Sequence, residues 1–233
     1  MSQEPGDNAN KCLTRTLSEA QAWNNKGVAL LGFKHPRPRA ALRAFRHAID
    51  IAPEFAKAWM NSGEAYTVLR KPALALAMYD HAIALNPDYE EAWLGRAESL
   101  AQLKRPGEAL SAFDRTLELE FKPARVWNNK GQVMQQQGRL LDALDAYERA
   151  LAAEPDKSLI WANKGVVLEA LQRDNEALAA YEEAIVWKSD NLAAWSGKTK
   201  VLDRLGREPE ARVAFRRSLI IFGKQLFPFL RGH

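Results

Sequence analysis

The sequence predicts an all-α protein made of six tandem two-helix units, and three observations predict it. Six of the seven tryptophans, Trp23, Trp59, Trp93, Trp127, Trp161 and Trp195, recur at intervals of 36, 34, 34, 34 and 34 residues. Within each interval small, bulky and aromatic residues return at offsets three or four apart, which puts them on one stripe of an α-helix. No stretch shows the strict apolar-polar alternation of a half-buried strand. Self-similarity at this period marks a stacked array, in which each unit buries its apolar face only against its neighbours.

The first helix of each unit carries the Trp and, four residues on, a small residue: Gly27, Gly63, Ala97, Gly131 and Gly165, with Thr199 as the exception. Seven residues on stands a bulky one, Leu30, Tyr66, Leu100, Met134, Leu168 or Leu202. The second helix is marked by alanine at the sixteenth place, an aromatic at the twentieth and a small residue at the twenty-third, once two inserted residues in the first unit are allowed for. The aromatics are Phe45, Tyr79, Phe113, Tyr147, Tyr181 and Phe215. Small residues let the two helices approach, while the Trp and the aromatic fill the space between them and toward the next unit.

Punctuation agrees with that order. Ser18 with Gln21 reads as a capping box opening the first helix, and Pro72, Pro106 and Pro209 occupy first-turn positions where a missing N–H costs nothing. Gly138 and Gly206 form the turns before second helices, and His35-Pro36-Arg37-Pro38 marks a longer turn in the first unit. Pro53, Pro87 and Pro155 close three units; Phe121, Ser189 and Gly223 stand in that place elsewhere, where altered turns are expected. The units start near residues 20, 56, 90, 124, 158 and 192 and fill residues 18–222. Residues 1–17 read as a flexible leader and 223–233 as an apolar tail or cap.

A net charge of +4 conceals segregation: residues 26–71 hold nine Lys or Arg against three acids, residues 142–190 five against eleven, and residues 198–231 nine against three. Such a field can steer charged partners without bearing on the fold. The single cysteine, Cys12, excludes an intramolecular disulfide and a cysteine metal cluster, and the first dozen residues lack an export signal, so a cytoplasmic setting is expected. No run approaches the roughly 20 apolar residues of a membrane span. The four histidines show no ligand spacing and no Gly-rich phosphate loop occurs, so neither metal, cofactor nor enzyme activity is expected.

Segments such as Trp127-Asn128-Asn129-Lys130-Gly131 and Trp161-Ala162-Asn163-Lys164-Gly165, repeated six times, resemble the tetratricopeptide repeat family over about residues 18–222. The resemblance implies a right-handed α-solenoid superhelix of antiparallel helix pairs and a non-enzymatic scaffold binding an extended peptide or partner helix in a concave groove. In that family the groove is lined by residues two before the Trp and one, two and five after it. Here the matching positions give Asn24, Asn25, Lys57, Asn61, Glu64, Glu91, Glu98, Arg125, Asn128, Asn129, Gln132, Asn163 and Lys200 as candidate peptide contacts. Two after the Trp, Asn25, Asn61, Asn129 and Asn163 resemble an asparagine ladder, interrupted by Gly95 and Gly197. Each Asn has a donor and an acceptor and can pair with a peptide backbone, or instead satisfy neighbouring groups of its own chain. A carboxylate clamp of the kind that holds chaperone tails is disfavoured, because Asn24, Val28, Asn61, Glu91 and Gly95 supply no cations at its places.

Three further features leave alternatives open. Three residues after the Trp stand Lys26, Arg96, Lys130, Lys164 and Lys198, either a cationic row or stems packed between helices with their heads led to solvent or to acids. Lys34, His35, Arg37, Arg39, Arg43, Arg46 and His47 form a basic cluster that could contact phosphates, yet no aromatics interleave with it, so nucleic acid is not the expected partner. The apolar ending, with Ile221, Phe222, Leu226, Phe227 and Phe229, either caps the sixth unit or contacts a partner or a second copy in a homo-oligomer.

Overall fold

The computed structural model describes the backbone of residues 5–226 and the side chains of residues 16–226. Among the described residues the chain forms twelve helices and no strand. It divides into two compact units, Met1–Phe121 and Lys122–His233, called here the first and second halves. The first half holds α1 (Pro5–Gly32), α2 (Pro38–Ile51), α3 (Ala56–Val68), α4 (Pro72–Leu85), α5 (Glu90–Gln102) and α6 (Pro106–Glu118). The second holds α7 (Pro123–Gln136), α8 (Leu140–Ala153), α9 (Ser158–Ala170), α10 (Asp174–Trp187), α11 (Leu192–Arg204) and α12 (Glu208–Leu226). Odd-numbered helices are the first helices of the repeats. Within each half every helix packs on its sequence neighbour, and α1, α3 and α5, like α7, α9 and α11, pack successively on one another.

The core follows the offsets. The second-helix aromatic lies against the small residue of the first helix, as the Phe45 ring does on Gly27, and Ala41, Phe45 and Ala65 form one cluster, flanked by Leu30, Leu31 and Leu42. Met60, Ala75, Tyr79, Ala82 and Ala92 form another, flanked by Trp59, Tyr66 and Tyr89. The six periodic Trp are half-buried, and four of them anchor the loop before them through the indole N–H. Trp59, Trp93 and Trp161 donate to the carbonyls of Pro53, Pro87 and Pro155 at 2.8 Å. Trp195 makes the same bond to Ser189 at 2.9 Å, so the missing proline leaves that turn unchanged. At Phe121 the turn does change, with Glu120 and Lys122 both left-handed (φ 55° and 44°).

Turns inside the repeats share one design. Three residues separate the paired helices in five repeats, and the middle one is left-handed: Arg70, Lys104, Gly138, Gln172 and Gly206. The next N–H reaches back to the carbonyl five residues before it, as in Lys71 to Tyr66 and Arg105 to Leu100, closing a Schellman-type end. Gly138 and Gly206 are legible from sequence, whereas Arg70, Lys104 and Gln172 hold the same conformation against side-chain sterics. The first repeat alone has five linking residues, Phe33 to Arg37, as the two prolines there imply.

The N-terminus departs from expectation. α1 begins at Pro5 and runs through Ser18, so the Ser18–Gln21 box does not open it, and residues 5–17, expected as a leader, extend the first helix. Their lack of Gly after Gly6 and of any later Pro before the repeat leaves nothing to stop the helix. Among the described residues no helix is long and apolar enough to cross a membrane.

Candidate functional site

The asparagines do not form an open row. Asn24 is fully buried, and Asn61, also buried, donates its Nδ2 to Asn24 Oδ1 at 2.7 Å. In the second half Asn163 Nδ2 donates to buried Asn128 Oδ1 at 3.0 Å. The residue one after a Trp and the residue two after the next Trp lie where successive first helices press together, so the amides close that contact. Asn24, Asn61 and Asn128, expected as groove contacts, are thus enclosed, and Asn163 is half-buried and committed. Asn25 stays exposed and accepts from Gln21 Nε2 at 2.7 Å, whereas Asn129 turns inward to accept from Asn128 Nδ2 at 3.2 Å. Asn24 Nδ2 has no such acceptor and is unpaired.

The glycines that interrupt the row have a steric cause. A Cβ on Gly95 would meet the Tyr79 ring at 2.4 Å, and one on Gly197 the Tyr181 ring at 2.2 Å. Each ring is wedged between the glycine of its own repeat, Gly63 or Gly165, and that of the next. The hydroxyls then turn to their own first helix: Tyr79 lies 3.2 Å from Thr67 Oγ1, and Tyr181 donates to Glu169 Oε2 at 2.9 Å. Burial, then the charge and hydrogen bond of Glu169, hold the Tyr181 phenol above its ordinary range.

What remains at the surface of the first helices is the stripe two before and five after each Trp. Lys57 and Glu64 are exposed on α3, Glu91 and Glu98 half-buried on α5, Arg125 exposed and Gln132 half-buried on α7, and Lys200 exposed on α11. Each pair is seven apart, nearly two helical turns, and so shares a face. Tyr89 links two of these helices: burial first, then the charges of Glu91, Glu64 and Glu90, push its phenol up to about 12. Of the four stripe residues on α3 and α5, Glu64, Glu91 and Glu98 are acids and Lys57 a base. On α9 Leu159 and Val166 occupy the same offsets as exposed aliphatics, between cationic Arg125 and Lys200, as Val28 does five after Trp23 on α1. Leu159, Val166 and Tyr89 were not among the sequence candidates; the first two share the offsets that named Lys57 and Glu64, but apolar side chains draw no notice in a polar list.

The basic residues after the Trp are spoken for. Lys26, Arg96, Lys130, Lys164 and Lys198 each lie over the ring of their own Trp, 4.5 to 5.9 Å from its centroid. Arg96 pairs with Asp80 at 2.8 Å, Lys164 with Glu148 at 2.9 Å and Lys198 with Glu182 at 2.7 Å. Arg37, Arg39, Arg43 and Arg46, by contrast, are exposed and make no ion pair among the described residues. At the C-terminal end Ile221 is buried against the sixth repeat, correcting its expected role as a partner contact, while Phe222 and Leu226 are exposed. Phe227 and Phe229 lie outside the described residues. Phe215 is 52 % exposed, although the equivalent aromatic is at most 3 % exposed in each earlier repeat.

The model of the tetratricopeptide repeat matches residues 68–124 and 128–191. No curated protein matches the sequence. Solved structures share the fold. The type IV pilus biogenesis factor PilW superposes with a TM-score of 0.77 at 20 % identity, covering 90 % of this chain and 94 % of its own. PilF of Pseudomonas aeruginosa does so with 0.77 at 18 % identity, covering 92 % and 94 %. YrrB, described as having an unusual peptide-binding site, gives 0.65 at 21 % identity, covering 81 % and 96 %. Identities at this level speak for the fold alone.

Proposed function

The chain belongs to the tetratricopeptide repeat family, and we propose from that premise that it is a non-enzymatic, cytoplasmic scaffold that binds an extended peptide or a helix of a protein partner along its first helices. The observation that carries this reading is the division of labour on those helices. Most asparagines and glycines beside the Trp are consumed inside, while Lys57, Glu64, Arg125 and Lys200 are exposed and Glu98 half-buried at repeating offsets. Recognition then rests on side-chain charge and on Leu159 and Val166, and less on a ladder of backbone-binding amides. Peptide binding by a structural relative, YrrB, makes a peptide the first ligand to consider.

Partners retained by the immobilised full chain are identified, and their affinities remeasured with Glu64→Lys/Glu98→Lys and with Arg125→Glu/Lys200→Glu. A loss of about tenfold or more, some 1.4 kcal/mol, with either pair supports the reading. Unchanged affinity with both overturns it. Replacing the asparagines is a poorer test, because those side chains hold the repeats together.

A second reading, favoured by exposed Phe215, Leu219, Phe222 and Leu226 on α12, is self-association through the last helix. Sedimentation of the full chain beside Leu219→Glu/Phe222→Glu decides it, since a monomer in both cases removes the idea.

A further inference from the structure

The junction between the first and second repeats breaks a rule that later junctions keep. At the twenty-first place after the Trp the second to fifth repeats carry an acid, Asp80, Asp114, Glu148 or Glu182, and the next repeat carries a base three after its Trp. Three of these pairs are formed within the halves, and each cation also covers the ring of its Trp. In the first repeat the acid's place is taken by Arg46, and the base's place on α3 by Ser62. A cation that would bridge α2 to α3 and cover Trp59 is therefore replaced by a hydroxymethyl group, whose hydroxyl donates to Ala58 O of its own helix at 2.8 Å.

The space so vacated is a cleft of about 480 Å³ between α2, α3 and α4, walled by Leu42, Ile49, Trp59 and Tyr66 and bordered by Arg43, Arg46 and Asp50. One side of Trp59 is stacked on His81, with ring centroids 4.4 Å apart. Both arginines are exposed and without an ion pair among the described residues, and Asp50 is the one acid on the border, which leaves it net positive. The surrounding segment, residues 26–71, holds nine Lys or Arg against three acids.

We propose that this cleft is a docking site for an acidic, apolar segment of a protein partner. An Asp or Glu carboxylate meets Arg46 and Arg43, taking the place of the acid that the other junctions supply from within, and an adjacent aliphatic or aromatic side chain enters against Leu42, Trp59 and Tyr66. Arginine forks suit a carboxylate in two-point contact. The walls favour a peptide over a polyanion, because an aliphatic side chain gains by covering them and a phosphate chain leaves them wet. The site uses a different face of α3 from the stripe of Lys57 and Glu64, and so stands or falls apart from the function proposed above.

The test is a displayed library of random dodecamer peptides selected on the full chain. Its companion is Arg46→Asp/Ser62→Lys, which rebuilds the ion pair found at later junctions and fills the cleft while keeping the fold. Expected are enriched peptides with Asp or Glu beside Leu, Phe or Trp, whose affinity falls at least tenfold in the double variant and in Arg43→Glu, while the double variant unfolds no earlier than the parent. The proposal is overturned if nothing is enriched, if the enriched peptides lack acids, or if they bind the double variant equally well. It is also overturned if phosphatidylserine vesicles or duplex DNA bind more tightly than the peptides with the same dependence on Arg46.

Discussion

The two halves of the chain run through the same three steps. Trp-Asn-Asn comes first (Trp23 and Trp127), then Trp with Asn two places on (Trp59 and Trp161), then Trp with Gly two places on (Trp93 and Trp195). The structure turns each step into the same contact, an amide pair between the first and second repeats and a tyrosine wedged between glycines of the second and third. Where the halves part is in charge. Glu148 pairs with Lys164 in the second half, while Arg46 and Ser62 border an open, cationic cleft at the matching junction of the first. Shape is thus conserved between the halves by buried polar and steric devices, and chemistry is varied at exposed positions where it costs little stability.

Perturbing the shared steric device gives the largest expected effect. Gly95→Ala and Gly197→Ala should each destabilise their half by about 2–3 kcal/mol, because the buried tyrosine ring has nowhere to retreat. Urea denaturation measures this, and unequal losses would show that the halves are less alike than their geometry. The amide pairs come next. Asn128→Ala removes a side chain with two partners and should cost about 1–2 kcal/mol, whereas Asn24, with one Nδ2 unpaired, should cost less by about 1 kcal/mol.

Smaller effects sharpen the contrast in charge and turns. Lys164→Ser copies the first junction into the second half and should cost about 0.5–1 kcal/mol, combining a ring contact with a half-exposed ion pair. A thermal scan reads this directly, and no change would mean that the Lys164–Glu148 pair adds nothing to stability. Lys104→Gly relieves a left-handed backbone and should stabilise by about 0.5 kcal/mol, the gain in strain being reduced by the greater freedom of glycine when unfolded. Gln172→Gly should match it in the other half.

Much of the architecture was legible because it rests on periodicity. The helix pairs, the long turn before α2 and the glycine turns at Gly138 and Gly206 follow from residues whose preferences are local. The left-handed turns at Arg70, Lys104 and Gln172 were not legible, since those residues do not favour that conformation and adopt it because two packed helices impose it. The start of α1 escaped for the opposite reason, a plausible cap at Ser18 lying inside a helix that nothing interrupts.

The functional face divides along the same line. Sequence alone determined which offsets recur beside each Trp, and so which residues were candidates. Only the tertiary structure decided that Asn24, Asn61 and Asn128 look inward, that Gly95 and Gly197 make room for tyrosine rings, and that Ser62 leaves a cleft. Offset along a helix defines a direction, but whether that direction meets solvent or another helix depends on what packs there, and packing is a property of residues far apart in the chain.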